Sequence, residues 1–344
     1  MKKIQYIYTI IVVLLFATGC EHHHLYYATS NTATVKINID WSKTSLDRSA
    51  NEIDKVSVMA YDSKTGKAST QLNYYTDNMD TIYVELPEGC HNLVIYNNVP
   101  SDFNDIGSGR AIQFSGDSNI STYLASGVER VAILTKNLPF DYTNRRVIKE
   151  PKALAACVLR NVEITRDEID IFYDKPDFYQ KYWVEEHNVT PRNKTLTFYL
   201  HVNIYNTKSG AGKPPISFAH TANGYYLGLE QTQHLDTRQE FNITLNKWLD
   251  ANKSDGYFVG KWLTFADFME DDYSYELFTS FILNDETTKE FTKTLKRSDI
   301  HKDEVHPDTY HIYWDIRLPE GIAGGDGGAF KPEAGEWDDV IVDL

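Results

Sequence analysis

The chain has 344 residues, of which 42% are hydrophobic and 13% aromatic, and a formal net charge of −15. This apolar content is sufficient for packed cores and excludes an intrinsically disordered protein. The acidic balance argues against nucleic acid as a partner and against a polybasic membrane-binding patch. The length suits two domains better than one.

The chain begins with an export signal. Two lysines precede an apolar run over residues 4–16, and small residues precede Cys20. This pattern is typical of a secretory signal peptide, and its end at Cys20 resembles the lipobox of bacterial lipoproteins. The resemblance implies that residues 1–19 are removed and that acyl chains such as palmitate attach to Cys20. An ordinary secretion signal with a chance cysteine is the alternative.

Two cysteines follow Cys20, at positions 90 and 157. In an exported protein Cys90 and Cys157 can form a disulfide, although a single pair is not a disulfide framework. Two free thiols fit the sequence equally well. The sequence leaves both alternatives open.

The N-terminal half has the pattern of short strands. Residues 20–34 are polar and lack periodicity, which predicts a flexible tether. Residues 35–41 then alternate apolar and polar side chains with period two. Residues 81–97 contain two further strands around Pro87, and the turn residues there predict a tight hairpin. The N-terminal unit is assigned to residues 35–178.

The second unit is assigned to residues 179–344. It opens with the longest alternating stretch in the chain, residues 195–205, and further strand candidates follow between turn residues. One helix is predicted at 286–295, because Phe291 and Leu295 are four residues apart on one face. Short strands without intervening helices indicate β-sandwiches. The predicted fold class is all-β, with two tandem sandwich domains after the signal peptide.

The end of the chain holds a last strand candidate. A glycine-rich segment at 321–328 precedes it, and Val340, Ile341 and Val342 form its apolar centre. A strand so close to the terminus can close its own sheet or be offered to the edge of another chain by strand addition.

Four features in their joint order resemble a known family. They are the lipobox at Cys20, a first strand ending in Trp41, the segment LPEGCHNLVIYN at 86–97, and an end that reads GGAF and then WDDV at 327–340. Together they resemble the fimbrillin-related lipoproteins of Bacteroidales-type bacteria. The similarity is greatest to the anchor subunits of type V pili.

The resemblance implies two transthyretin-like β-sandwich domains, a lipid anchor in the outer membrane and exposure at the cell surface. It implies that the protein anchors or assembles fimbriae by β-strand exchange with fimbrillin-like subunits, with Val340, Ile341 and Val342 as the candidate strand. It implies no catalytic residues, no cofactor and no enzymatic activity. Polymerising relatives are processed at an arginine after an early strand; Arg48 is the comparable position, and anchors are expected to stay uncut.

A carbohydrate-binding surface lipoprotein of a glycan-uptake system is the alternative function. Its basis is the aromatic content, since exposed tryptophans can stack on sugars whereas most aromatic residues pack in cores. Two coplanar exposed rings beside polar side chains would favour this function. The tryptophans concerned are Trp183, Trp248, Trp262, Trp314 and Trp337.

The cluster that most resembles a metal site contains His301, Asp303, Glu304 and His306, and His311 lies nearby. Its spacing misses the paired-histidine helix motifs of zinc hydrolases. Pro307 also disfavours a helix at this position. We therefore expect no metal site here.

One short motif concerns surface modification. Asp80, Thr81 and Ile82 resemble the O-glycosylation acceptor of exported proteins in these bacteria. The match makes Thr81 a possible glycosylation site and bears only on surface chemistry.

Overall fold

The computed structural model describes residues 31–50, 52–76, 78–104, 109–130, 146–173, 183–211, 215–233, 237–265, 274–306 and 308–320. Its regular elements are nearly all β-strands, which confirms the predicted all-β fold class. Cys20 and the strand-exchange candidates Val340, Ile341 and Val342 lie outside the described residues. Within these ranges, no helix has the length and apolar character needed to cross a membrane.

The strands and helices are short and follow one another closely. In chain order, the first are β1 (Thr32–Ile39), β2 (Val56–Asp62), β3 (Ala68–Thr76), β4 (Thr81–Pro87), β5 (Gly89–Asn97), α1 (Pro100–Phe103), β6 (Ile112–Ser115), β7 (Leu124–Gly127), β8 (Arg146–Ile148), β9 (Ala155–Ile164), α2 (Arg166–Tyr173), β10 (Glu185–Val189) and β11 (Arg192–Asn193). The next are β12 (Leu196–Tyr205), β13 (Gly210–Ala211), β14 (Ile216–Thr221), β15 (Gly224–Tyr226), β16 (Gln231–Gln233), β17 (Thr237–Phe241), β18 (Thr244–Trp248), β19 (Gly256–Thr264), β20 (Tyr275–Leu283), β21 (Thr288–Leu295), β22 (Ile300–Lys302) and β23 (Thr309–Arg317).

The N-terminal sandwich consists of two sheets with the strand orders β10-β1-β4 and β11-β9-β5-β2-β3. Along β1 buried and half-buried residues alternate, because successive side chains of a strand point to opposite faces. The inward residues Val35 and Ile37 pack in one core with Val58, Val84 and Ile95. β1 lies at the centre of its sheet, parallel to β10 and antiparallel to β4.

The hairpin predicted within residues 81–97 is wrong. β4 pairs with β1, whereas β5 pairs with β2 and β9, so the turn at Glu88 carries the chain from one sheet to the other. Gly89 permits this turn with a φ of 132°, a conformation that favours glycine. The burial patterns give the physical reason: β4 alternates, whereas residues 91–97 of β5 are buried on both faces, as a central strand requires.

The C-terminal sandwich has a front sheet with the strand order β18-β19-β12-β23-β22. Its back sheet has the order β13-β20-β14-β17-β8, and β21 pairs with β20. β12 is the central strand of the front sheet, antiparallel to β19 and parallel to β23. Its inward residues Phe198, Leu200, Val202 and Ile204 are buried, which agrees with the alternation in the sequence.

The helix predicted at 286–295 is also wrong, because these residues form β21, which pairs with β20 along its length. Phe291 and Leu295 both pack against the C-terminal core. A spacing of four residues is an even number, so it places two side chains on one face of a strand as well as on one face of a helix.

A third sheet and a third core join the two sandwiches. β6 and β7 from the first half of the chain pair with β15 and β16 from the second, in the order β16-β15-β7-β6. The core against this sheet combines residues from both halves, among them Tyr61, Tyr96, Phe103, Tyr123, Leu154, Ala222, Leu227 and Phe265. The junction is therefore a packed interior and not an exposed linker.

The domain boundary was predicted between residues 178 and 179. One strand before this boundary pairs with the C-terminal sandwich, and two strands after it pair with the N-terminal sandwich. β8 runs parallel to β17 in the C-terminal sandwich. In contrast, β10 and β11 pair with β1 and β9 in the N-terminal sandwich. We therefore propose that the N-terminal unit extends through β11 and that β8 belongs to the C-terminal unit.

Buried charges accompany β8 where it enters the C-terminal sandwich. The Arg238 guanidinium, which is buried, donates to Glu240 Oε1 at 2.7 Å, and Arg130 donates to Glu240 Oε2 at 3.3 Å. Glu150, just after β8, accepts a hydrogen bond from the Leu263 backbone N–H at 2.9 Å. Burial raises the pKa of Glu150. These contacts fix the first half of the chain against the second.

Cys90 and Cys157 are free thiols, which resolves the alternative left open by the sequence. Cys90 lies at the start of β5 opposite Glu163, and Cys157 lies on β9 opposite Ile95. Burial raises the pKa of Cys157 to about 12, so its reactive thiolate is scarce at neutral pH.

The junction core predicts a large effect for Phe265→Ala. Phe265 is fully buried in this core, so we expect a loss of about 3–5 kcal/mol in the free energy of unfolding, measured by urea denaturation. Val305→Ala is the control; Val305 is 79% exposed, and its change should stay within about 0.5 kcal/mol. Equal stability of the two variants would contradict the packed junction.

Candidate binding face of the C-terminal sandwich

The outer surface of the front sheet carries a concentration of rings. β12 and β23 are parallel neighbours, and their outward positions meet in register: Tyr199 lies opposite His311, and His201 lies opposite Tyr313. Tyr257 on β19 joins them from the other side of β12. We call Tyr199, His201, Tyr257, His311 and Tyr313 the aromatic-histidine face.

Three of these rings form a hydrogen-bonded relay that ends on a carboxylate. The Tyr257 hydroxyl is 2.5 Å from His201 Nδ1, His201 Nε2 is 2.9 Å from His311 Nδ1, and His311 Nε2 is 3.0 Å from Asp303 Oδ2. An ionised carboxylate can only accept, so the His311 Nε2–H donates to Asp303. With one proton on each imidazole, His201 Nε2–H then donates to His311, and the Tyr257 hydroxyl donates to His201.

The rings of the relay lie edge to edge. The His201 and His311 centroids are 5.1 Å apart with planes inclined by 23°, and those of His201 and Tyr257 are 6.0 Å apart at 9°. Hydrogen bonds between ring-edge atoms at these separations require nearly coplanar rings. The relay therefore forms a flat strip that crosses three strands.

The flat strip is covered from both sides by tyrosine rings. Tyr313 stacks on His201 with a centroid distance of 4.8 Å and an angle of 17°, and Tyr199 stacks on His311 at 5.3 Å and 15°. The rings of the aromatic-histidine face thus pack much of their flat surface against one another. Tyr313 is the most open of them, with 54% of its surface exposed.

Burial and hydrogen bonding set the charge states of the relay. Burial, followed by the charge of the neighbouring His311, lowers the pKa of His201 to about 4, so His201 is neutral at pH 7. The pKa of Asp303 is held well below its usual range by the His306 backbone N–H and then by the His311 side chain. The strip is thus neutral at its centre and carries its negative charge at the Asp303 end.

The relay accounts for the histidine cluster found in the sequence. Asp303 accepts hydrogen bonds from both His306 and His311, and His301 lies beside the Tyr313 ring at 5.7 Å. In the part of the chain that the structure describes, no group of three His, Cys, Asp or Glu side chains is placed to hold a metal ion. Chemically, the arrangement is a pre-organised polar and aromatic surface on an open sheet face.

The sequence did not single out His201 or Tyr257. The relay joins β12, β19 and β23, so its members are 56 and 110 residues apart along the chain. The available signal was the alternation in β12, which placed Tyr199, His201 and Asn203 together on the polar face of the predicted strand.

The predicted modification and processing positions lie in the N-terminal sandwich. Thr81 begins β4, where its half-buried hydroxyl donates to Asn38 Oδ1 at 3.3 Å. Arg48 forms an exposed salt bridge with Asp80 at 2.5 Å. Exposed pairs of this kind contribute little to stability, so this contact does not by itself fix the loop that carries Arg48.

The tryptophans that could stack on sugars are dispersed. Trp262 and Trp314 belong to the C-terminal core, whereas Trp183 is 40% exposed. Trp248 is half-buried at the end of β18, and Trp337 lies outside the described residues. The described tryptophans do not form a pair of coplanar exposed rings.

The fold defines a two-sandwich β protein, and comparison gives its family. The family described as a domain of unknown function, DUF5119, matches residues 19–242, and the chain belongs to this family. No curated protein matches the chain by sequence.

Among solved structures, a candidate adhesin from Bacteroides ovatus ATCC 8483 is similar over 88% of this chain and 95% of that chain, with 15% identity and a TM-score of 0.53. The fimbrial anchor protein Mfa2 from Porphyromonas gingivalis is 12% identical, with 83% of this chain and 90% of that chain covered and a TM-score of 0.46. The likeness to the candidate adhesin confirms the resemblance to fimbrillin-related proteins at the level of the fold.

The low pKa of His201 predicts a loss of stability in mild acid. The unfolded chain takes up a proton near the ordinary value of 6.5, whereas the folded chain does so only near 4. The unfolded state binds more protons between these values, so the free energy of unfolding falls as the pH falls from 6.5 to 4. His201→Gln should remove on the order of 1 kcal/mol of this fall, a value discounted for partial exposure.

Urea denaturation at a series of pH values measures this effect. His301→Gln, at an exposed position on the same sheet, is the matched control and should change the pH dependence less. A His201→Gln profile that coincides with the unmodified protein would show that His201 does not titrate in this way.

Proposed function

We propose that the protein is a surface-exposed lipoprotein of the outer membrane that acts in fimbrial adhesion and is held by lipid on Cys20. The observation that carries this proposal is the two-sandwich fold, which spans 88% of the chain in common with a candidate adhesin. The export signal ending at Cys20 supports the location. The role is binding and assembly, and the proposal includes neither catalysis nor a cofactor.

The proposed lipid anchor places the N-terminal sandwich close to the membrane. β1 begins at Thr32, so only residues 21–31 separate Cys20 from the first sheet. A fully extended segment of that length spans at most about 40 Å. The start of β1 therefore lies within about 40 Å of the proposed lipid.

Strand exchange is the proposed mode of assembly. Val340, Ile341 and Val342 are the proposed donated strand, and fimbrillin-like subunits are the proposed partners. At the two ends of the front sheet, β18 pairs with β19 and β22 pairs with β23, and neither pairs with a further described strand. Such edges expose backbone N–H and C=O groups that an added strand can use.

The lipid anchor predicts a change of location for Cys20→Ala. In the native bacterium, the unmodified protein should carry a palmitate analogue and fractionate with the outer membrane. The variant should lose the label and appear in a detergent-free soluble fraction, because the acyl chains supply the membrane affinity. Cys90→Ala is the control and should stay in the membrane; a soluble, unlabelled unmodified protein would contradict the proposal.

Strand exchange predicts that the tail is needed for capture of partners. A tagged, membrane-anchored protein should recover fimbrial subunits in a complex that resists SDS, and Ile341→Asp should abolish this complex, because a charge cannot occupy the apolar side of an added strand. Asp343→Asn is the control within the same tail. Recovery of glycan transporters in place of fimbrial subunits would favour the glycan-uptake function.

A further inference from the structure

A polar cleft lies where the two sandwiches meet. Its volume is about 350 Å³, and its lining consists of Ser42, Lys43, Arg192, Asn193, Lys302 and Asp308. The first four of these belong to the N-terminal sandwich, and the last two to the C-terminal sandwich. The cleft therefore exists only when the two sandwiches are packed together, and such junctions are common ligand sites.

Three cations from separate elements line this cleft. Lys43 ends the 3-10 turn that follows β1, Arg192 lies on β11, and Lys302 lies on the edge strand β22. All three side chains are exposed, and no salt bridge joins any of them to another described residue. This local excess of positive charge contrasts with the net charge of −15 of the whole chain.

The wall of the cleft formed by Asn193 and Asp308 is held in place. The Asn193 side-chain amide donates to Ser45 Oγ at 2.8 Å and to Asp308 Oδ2 at 3.2 Å. The Asp308 backbone is fixed in turn, because its C=O accepts from the Thr197 N–H at 3.0 Å. A polar wall fixed before binding loses less entropy when a ligand arrives.

We propose that this cleft binds a saccharide unit that carries a carboxylate, such as a uronic acid. Arg192 supplies the planar pair of donors that matches a carboxylate, and Lys43 and Lys302 add positive charge. Ser42, Asn193 and Asp308 offer oxygen acceptors for sugar hydroxyls, because the Ser42 hydroxyl and both Asn193 amide hydrogens are already donated within the protein.

The shape and lining of the cleft favour a sugar over an acidic peptide. Its volume lies at the lower end of the range for small-molecule sites. Peptide recognition commonly buries apolar anchor side chains in pockets, whereas every lining side chain here is polar. A small, hydrophilic, negatively charged ligand meets these constraints.

The cleft lies at the end of β1 that is away from the proposed membrane anchor. The tether enters at the start of β1, whereas Ser42 and Lys43 follow the end of that strand. Eight residues of extended strand separate the two ends by about 26 Å. A soluble acidic glycan, or one on a facing cell, can therefore reach the cleft.

Isothermal titration calorimetry of the soluble Cys20→Ala protein with oligoglucuronate at 0.15 M salt tests the proposal. We expect saturable binding that weakens about tenfold or more in Arg192→Ala and in Lys302→Ala, since each removes a charged contact. Arg192→Lys should retain part of the affinity. Lys289→Ala, on exposed β21 outside the cleft, is the matched control and should bind as the unmodified protein does.

Three results would overturn the proposal: no difference between Arg192→Ala and Lys289→Ala, equal binding of a neutral glucose oligomer, or preference for an acidic peptide over the saccharide. Tighter binding of a sulfated sugar would overturn the choice of carboxylate. This site deepens the proposed adhesion function by naming a ligand class, but its assay needs neither lipid nor strand donation. Saccharide binding and fimbrial capture can therefore fail independently.

Discussion

Burial of aromatic side chains between the two sandwiches is the constraint on which the rest of the structure depends. Tyr61, Tyr96 and Tyr123 come from the first half of the chain, whereas Leu227 and Phe265 come from the second, and all are buried in one core. Fully burying a large apolar side chain contributes about 1.5–3 kcal/mol relative to leaving it exposed. Separating the sandwiches would open this shared core to water. Rigidity at the junction is therefore a consequence of hydrophobic burial.

The buried charges near this core serve a different purpose. Both carboxylate oxygens of Glu240 are paired, one with Arg238 and one with Arg130. Desolvation offsets most of the Coulomb energy of a buried ion pair, so such a group adds little net stability. It does penalise wrong arrangements strongly, because a displaced strand would leave a buried charge unpaired. The cluster thus fixes Arg130 against β17, and the Arg130 backbone N–H donates in turn to the Val147 C=O of β8 at 2.9 Å.

How much of the fold the sequence predicted depends on how far apart along the chain the interacting residues lie. Alternation is local, so the strands β1 and β12 were predictable from period two alone. Sheet membership is not local. The turn at Glu88 looked like a hairpin although β4 and β5 lie in different sheets, and the four-residue spacing of Phe291 and Leu295 fits both a helix and a strand.

The candidate sites show the same limit more strongly. The relay needs His201, Tyr257 and His311 on three strands, and only the registers of β12 with β19 and β23 bring them together. The polar cleft needs Arg192 and Lys302 from different sandwiches. Neither arrangement leaves a spacing motif in the chain. Cys20 is different, because an export signal is read as a linear segment and needs no folded structure.

A small polar cleft is compatible with adhesion when the protein is displayed in many copies. A few charged and hydroxyl contacts on one sugar unit give weak binding at a single site, and physiological salt weakens the attraction between exposed charges further. An array of copies facing a repetitive acidic glycan would convert later binding events into local ones at high effective concentration. Overall attachment can then exceed the single-site affinity by about 10²–10⁴.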